Sequence, residues 1–298
     1  MPHAIGIDIG VTYVKCVVVS DAGEIVLRDQ TGTHAEKSDW PEGVKKYIGG
    51  IERQRGEAQW LGFAAPGLAA PDGSCISWMQ GRLEEVEGLK WTEFLGRKRA
   101  APVLNDAQAA LLGEVWKGSA AGARNAILLT LGTGVGGAIL CDGRILKGAI
   151  GRAGHIGHMT LDVDGIDDMV KTPGSLETMI GNYTVRERSS GKFESTREMV
   201  AAAQRGDQQA RQVWERSVRA LGCAIVSMIN VADPEVVIIG GGIATAGVAL
   251  FEPLNHVLDK HEWRPHGHRA KIVSATLGEF AGAIGAAYNA MQIGRGDA

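Results

Sequence analysis

Apolar and polar positions follow one arrangement twice along the chain. At residues 4–26, AIGIDIGVTYVKCVVVSDAGEIV, an apolar run meets a polar bend at Asp8-Ile9-Gly10-Val11-Thr12, resumes over residues 16–19 and turns again at Asp21-Ala22-Gly23. Residues 127–140, ILLTLGTGVGGAIL, do the same around Gly132-Thr133-Gly134, with a second turn at Asp142-Gly143. Gly132, Gly134 and Gly137 match the spacing of a dinucleotide fingerprint, but that fingerprint needs a helix directly behind it. Here Ala138, Ile139 and Leu140 continue as a strand, so both stretches predict β-hairpins. A glycine bend leaves peptide N–H groups uncovered, and with the Thr133 hydroxyl it makes a cradle for an anion. One such bend reads as an ordinary turn; two matched copies predict an internally duplicated fold.

The remaining pattern fills in helices and strands. Trp40, Val44, Tyr47, Ile48 and Ile51 recur at helical spacing over residues 39–55, with Pro41 suited to a first turn. Residues 60–66 predict a buried strand ending at Pro66-Gly67, and residues 101–104 a short strand that delivers Asn105-Asp106 to a helix over 107–116. The small-residue stretch 118–124 reads as a linker permitting hinge motion. Residues 196–232 read as Ala-rich helices covering a sheet. VVIIGGGIA then predicts a strand, Gly240-Gly241-Gly242, and a helix over 245–258. Three successive glycines before a helix N-terminus admit a phosphate or flat ligand to the backbone. The segment HEWRPHGH reads as an exposed loop before a strand at 270–274, and residues 281–291 as a small-residue helix packing closely on its neighbours.

Composition narrows the function. The 298 residues suffice for two domains, and the net charge of −3 comes with no basic stripe, which argues against a broad nucleic-acid surface. No apolar run has the length of a membrane span and no charged leader precedes an apolar stretch, so the expectation is a cytoplasmic protein acting on a small molecule. The four cysteines lack C-x-x-C spacing; Cys16, Cys141 and Cys223 lie in apolar segments and read as buried thiols.

Asn105 and Asp106 are favoured helix caps and could serve only that purpose. In the setting LNDAQAALLGE, however, and together with the two hairpins, they resemble the ROK family of actin-like sugar kinases and repressors, over nearly the whole chain. The resemblance implies an α/β fold of two actin-like (ribonuclease H-like) domains, each a mixed five-stranded sheet flanked by helices, with nucleotide and sugar in the cleft between them. The domains would be residues 1–117, with 281–298 packing back on them, and 118–280. It implies an ATP-dependent, glucokinase-like transfer of the γ-phosphoryl group to a hexose hydroxyl, with Asp106 as catalytic base and Asn105 and Gly67 at the sugar. Asp8, Gly10, Thr12 and Lys15 would meet ATP from one side, Gly132, Thr133 and Gly134 from the other, and Gly240, Gly241 and Gly242 at its adenosine end. Mg²⁺ would be held by Asp8 and the phosphates, and the chain would be a homodimer with neither nucleic acid nor membrane as partner.

Three departures qualify the resemblance. Arg82 stands where the family has a sugar-contacting asparagine, and His155 where it has a glutamate. The family's zinc motif, C-x-C-G-x-x-G-C-L-E, aligns with residues 168–177, where Asp168, Val170 and Ser175 occupy the cysteine positions while Gly174, Leu176 and Glu177 are kept. One histidine and one carboxylate do not make a thiolate-rich zinc site, so no structural zinc is expected; His158 would be released to hydrogen-bond the sugar, Glu177 would do the same without its metal scaffold, and His155 and Arg82 are expected at the sugar with them. The departures also raise an alternative, a catalytically silent sugar sensor of the same fold. Repressors of the family carry a helix-turn-helix domain before the first hairpin, which here begins at Ala4.

Overall fold

A computed structural model describes residues 2–81 and 83–296. Arg82, expected at the sugar, lies outside the described residues. The chain divides into two compact units: Met1–Gly122, Arg144–Ala153 and Thr276–Ala298 form the first, and Ala123–Gly143 with Gly154–Ala275 the second.

In the first unit, β1 (His3–Ile9), β2 (Tyr13–Ser20) and β3 (Ile25–Gly32) are followed by α1 (Trp40–Arg55) and β4 (Trp60–Ala65). A two-stranded ribbon of β5 (Leu68–Ala69) and β6 (Ile76–Trp78), the short α2 (Trp91–Phe94), β7 (Val103–Asn105) and α3 (Asp106–Lys117) complete it, together with the C-terminal α9 (Ala281–Arg295). The sheet runs β3-β2-β1-β4-β7, its first three strands antiparallel and β1, β4 and β7 parallel. Period-two alternation explains its two faces. Ile5, Ile7 and Ile9 join Val44, Ile48, Phe63 and Trp91 under α1. The alternate positions are small where α9 lies on the other face, with Ala4, Val17 and Val19 against Ala283, Ile284 and Ala287. Gly6 is required there, because a Cβ would fall 1.9 Å from the Ala283 carbonyl oxygen.

The second unit repeats the layout. β8 (Ala126–Leu131) and β9 (Val135–Cys141) open it, and β11 (Val236–Gly240) and β12 (Lys271–Ser274) complete it; with the two-residue β10 (Arg144–Ile145), whose segment groups with the first unit, the sheet order is β10-β9-β8-β11-β12. The β8–β9 pair is antiparallel, whereas β8, β11 and β12 are parallel, as in the first sheet. α4 (Leu176–Ile180), α5 (Val185–Arg188), α6 (Thr196–Gln204), α7 (Gln208–Ala232) and α8 (Val248–His261) supply the helices. The core gathers Ile127, Leu129, Ile225, Ile239 and Leu254 among others. Between β11 and α8 the helix expected from residue 245 is first a 3-10 turn, Gly242–Ala246, and becomes α-helical only after Gly247, whose φ of 56° interrupts it.

All four cysteines are free thiols, but only Cys16 is buried. Cys141 and Cys223 are exposed, contrary to the reading from their apolar neighbours. Cys141 ends β9 at the Asp142-Gly143 turn, and Cys223 faces solvent on α7, whose apolar contacts are made by Leu221, Ala224 and Ile225.

Candidate functional site

Strand register places the candidate residues at carboxyl ends of parallel strands, where open α/β sheets bind ligands. Asp8, one residue before the end of β1, faces Lys15 across the β1–β2 hairpin and Ala64 on β4. Asn105 ends β7 opposite Ala65, and Pro66-Gly67 follows directly. The first bend is fixed by the Gly10 N–H donating to the Tyr13 carbonyl at 2.9 Å and by the Thr33 hydroxyl donating to the Gly10 carbonyl at 2.6 Å. Val11 and Thr12 are exposed at its tip.

Asn105 and Asp106 divide two tasks. The Asn105 side-chain oxygen accepts from the N–H groups of Ala107 and Gln108, while the Gln108 side chain returns to the Asn105 N–H, forming a capping box. Its amide nitrogen donates to the Gly67 carbonyl at 2.9 Å, so buried Asn105 links β7, α3 and the Pro66-Gly67 turn. Asp106, the first residue of α3, is exposed, with one carboxylate oxygen accepting from Ala107 N–H at 2.8 Å. Burial pushes the Asp8 carboxyl up to about 7, with the negative charge of Asp106 acting in the same sense and Lys15 against both. Lys15 also lies 3.9 Å from Glu279.

In the second unit the Gly132-Thr133-Gly134 bend is held from below. Asn182 N–H donates to the Gly132 carbonyl and Tyr183 N–H to the Thr133 carbonyl, both at 3.0 Å. The Gly132 N–H itself donates to the Gly134 carbonyl at 2.9 Å, and the bend presents the exposed Thr133 hydroxyl. Glu177 is buried against the same bend. Its Oε2 accepts from Val135 N–H at 2.9 Å, and a Cβ on Gly134 would fall 2.1 Å from it. The Tyr183 phenol donates to Glu177; burial first, then the charges of Glu177 and Asp168, push that phenol up to about 12.

A cavity of about 680 Å³ brings the bend together with the glycine turn after β11: Gly132, Thr133, Gly242 and Thr245 all line it. Gly240 ends β11, and Gly241 adopts a φ of 85° with its α-carbon packed on Leu131, so that a Cβ would meet the Leu131 carbonyl oxygen at 2.3 Å. The polar wall of this cavity comes from a segment that carried no glycine signature in sequence, including Asn182, Ser195, Arg197 and Gln204. α6, expected only to cover a sheet, lines it. Behind that wall, Arg188 donates to the Gly181 carbonyl, Thr184 and Ser217, stiffening the turn that grips the bend.

His158 is held through one ring nitrogen. Its Nδ1 lies 2.8 Å from Oδ2 of Asp168, a carboxylate whose side chain is completely buried, while the His158 ring is 27% exposed. His155 precedes this turn, partly buried. His158, Asp168 and Glu177 each offer an atom within 4.8 Å of the others. The His261–His268 region is a helix end and a short 3-10 turn, and it contributes no group of metal-ligand type among the described residues.

The sequence and fold match known proteins over nearly their full length. The ROK family model matches residues 4–293. The glucokinase of Halalkalibacterium halodurans is 29% identical, over 94% of this chain and 92% of its own. The ROK hexokinase of Thermus thermophilus superposes with a TM-score of 0.84 at 27% identity, covering 99% of each chain. A ROK family glucokinase from Streptomyces griseus, in complex with glucose and AMPPNP, does so with a TM-score of 0.74 at 25% identity, covering 97% of this chain and 99% of that one. With duplicated sheets, paired glycine bends and a family match that spans both units, the chain belongs to the ROK family.

Proposed function

We propose that the chain transfers the γ-phosphoryl group of ATP to a hydroxyl of a hexose or hexose derivative, with Asp106 as the base. As a member of this family similar to named glucokinases, the protein is an ATP-dependent carbohydrate kinase. The observation that carries the assignment of Asp106 is the division of labour at α3. Asn105 makes the cap, which leaves Asp106 an exposed carboxylate in the first turn that the cap does not require. A carboxylate there can orient a sugar hydroxyl and accept its proton as the oxygen–phosphorus bond forms. Asn105 and Gly67, joined by a hydrogen bond, are read as sugar ligands, and so are His155, His158 and Glu177. Gly132, Thr133 and Gly134 hold the phosphates, and Gly240, Gly241 and Gly242 lead the nucleotide into the cavity they border.

Asp8, with its raised carboxyl and hard oxygen donors, fits a divalent cation, and Gly10, Thr12 and Lys15 stand on the same hairpin. Mg²⁺ held by Asp8 and the ATP phosphates would neutralise charge on the phosphoryl group. Zinc does not fit at residues 158–177. Val170 offers no ligand, and the Asp168 and Glu177 carboxylates already accept from protein donors. No helix among the described residues is long and apolar enough to cross a membrane. The reading is completed by a cytoplasmic homodimer without nucleic-acid or membrane partners, which sedimentation of the purified protein tests.

A coupled ADP-release assay over hexoses and N-acetylhexosamines tests the whole assignment. Asp106→Asn is expected to lower sugar-dependent turnover by about 10²–10⁴ while calorimetry still shows sugar binding. Undiminished turnover would remove Asp106 from the mechanism, and silence of the wild type across the panel would favour a sugar sensor.

A further inference from the structure

We propose that Asp168 organises the 158–177 loop in the place of a metal and acts as a positioning residue for His158, fixing which ring nitrogen meets the sugar. The proposal rests on the reading of His158 as a sugar ligand.

The loop has little apolar anchorage, since Val163, Ile166 and Met169 are 79%, 45% and 74% exposed. Asp168 is the opposite, with a completely buried side chain. Its Oδ1 accepts from the N–H groups of Val170 and Thr172, each at 2.9 Å. His158 Nδ1 lies 2.8 Å from Oδ2, and the Ser175 hydroxyl also hydrogen-bonds this carboxylate. Four donors match the roughly four lone-pair directions of an ionised carboxylate, so none is left for a cation. Residues 158, 170 and 175, where the resemblance would have metal ligands, converge instead on a single anion at 168. The polarity is inverted: a metal site surrounds a cation with acceptors, whereas this loop surrounds a carboxylate with donors.

The ring of His158 follows from this. Burial acts to raise the Asp168 carboxyl, but the bonds from His158, Thr172, Ser175 and Val170 outweigh it and hold the group below its ordinary range. An ionised carboxylate cannot donate, so Nδ1 of His158 must carry the proton in that bond. In the neutral ring Nε2 is then an acceptor, able to take a hydrogen bond from a sugar hydroxyl. Without Asp168 the tautomer is unconstrained, and an Nε2–H ring would offer the sugar a donor in place of an acceptor.

Nitrogen-15 imidazole spectra of the wild-type protein, followed as pH is raised until the ring is neutral, read the tautomer directly. The expected spectrum has His158 protonated at Nδ1 and bare at Nε2; a neutral ring protonated at Nε2 overturns the proposal. Kinetics of Asp168→Asn should show the loss falling mainly on the sugar KM, about tenfold or more by analogy with residues that orient ligand-bearing histidines, with Asp168→Glu recovering part of it. His158→Gln separates the two readings. A raised sugar KM in His158→Gln with none in Asp168→Asn refutes positioning alone, whereas no effect of His158→Gln refutes the sugar contact on which it rests. Elemental analysis finding one zinc per chain would refute the metal-free loop whatever the kinetics.

Discussion

Asn105, Asp106 and Asp8 are polar residues of one unit, with Asp106 near enough for its charge to act on Asp8. The structure buries Asn105 in the helix cap and leaves Asp106 exposed, and the proposed role of Asp106 as base needs that exposure. Sequence alone left both as caps or both as site residues, because a cap and a base draw on the same residue types. Asp8 carries a cost. In the unfolded chain its carboxyl titrates near 3.8, in the folded chain near 7. The folded state therefore binds more protons between those values, and the stability this group contributes at low pH is lost as pH rises through about 7. Asp168 behaves in the opposite sense: held below its ordinary value, it contributes stability that is lost as pH falls through its folded value. In ligand-free protein with chelator present, Asp8→Asn should raise Tm relative to the wild type near about pH 8, and the gap should close near about pH 4. A gap constant with pH, followed by thermal melts, would show that Asp8 does not hold a raised carboxyl.

At the scale of elements, the hairpins were readable because strand alternation and glycine bends are local, period-two signals. The α9 helix was readable as small-residue packing, but not which glycines it demands. Gly6 on β1 lies under α9, where a Cβ would strike a backbone oxygen 1.9 Å away that cannot swing aside; Gly43 on α1 has nothing within 4 Å. Gly6→Ala should cost about 1–3 kcal/mol or more by overpacking, whereas Gly43→Ala should gain about 0.5–1 kcal/mol by stiffening a helix. Urea titrations of the two variants read both signs, and similar midpoints would refute the tight α9 contact. Glu177 teaches the same lesson. Its register was visible, while its hold on Gly134 and Val135 depends on a helix folding back beneath a hairpin 42 residues earlier.

For the molecule as a whole, two sheets of the same strand order carry their candidate residues at corresponding strand ends. The chain leaves the first unit after Gly122 and last re-enters it at Thr276. One buried carboxylate within that unit, Glu114 on α3, binds both places. It accepts from the N–H groups of Ser119, Thr276 and Leu277, each at 2.8 Å, and from the hydroxyls of Ser119 and Thr276. Glu114→Ala strands those donors, and at about 1–3 kcal/mol for each buried group left without a partner the midpoint of thermal unfolding should fall by several degrees. A variant as stable as wild type would mean water replaces the carboxylate. Nothing in the sequence marked Glu114, which resembled any acidic residue on a helix. The sequence by itself determined the strands, the helices, the duplicated hairpins and the Asn105-Asp106 junction, because propensity and periodicity act between near neighbours. Only the tertiary structure decided that His158 is bound to Asp168, that α6 and residues 182–204 wall the cavity, and that Cys141 and Cys223 face solvent. Those facts depend on contacts between residues far apart in the chain, and a local pattern holds no information about what will be packed against it.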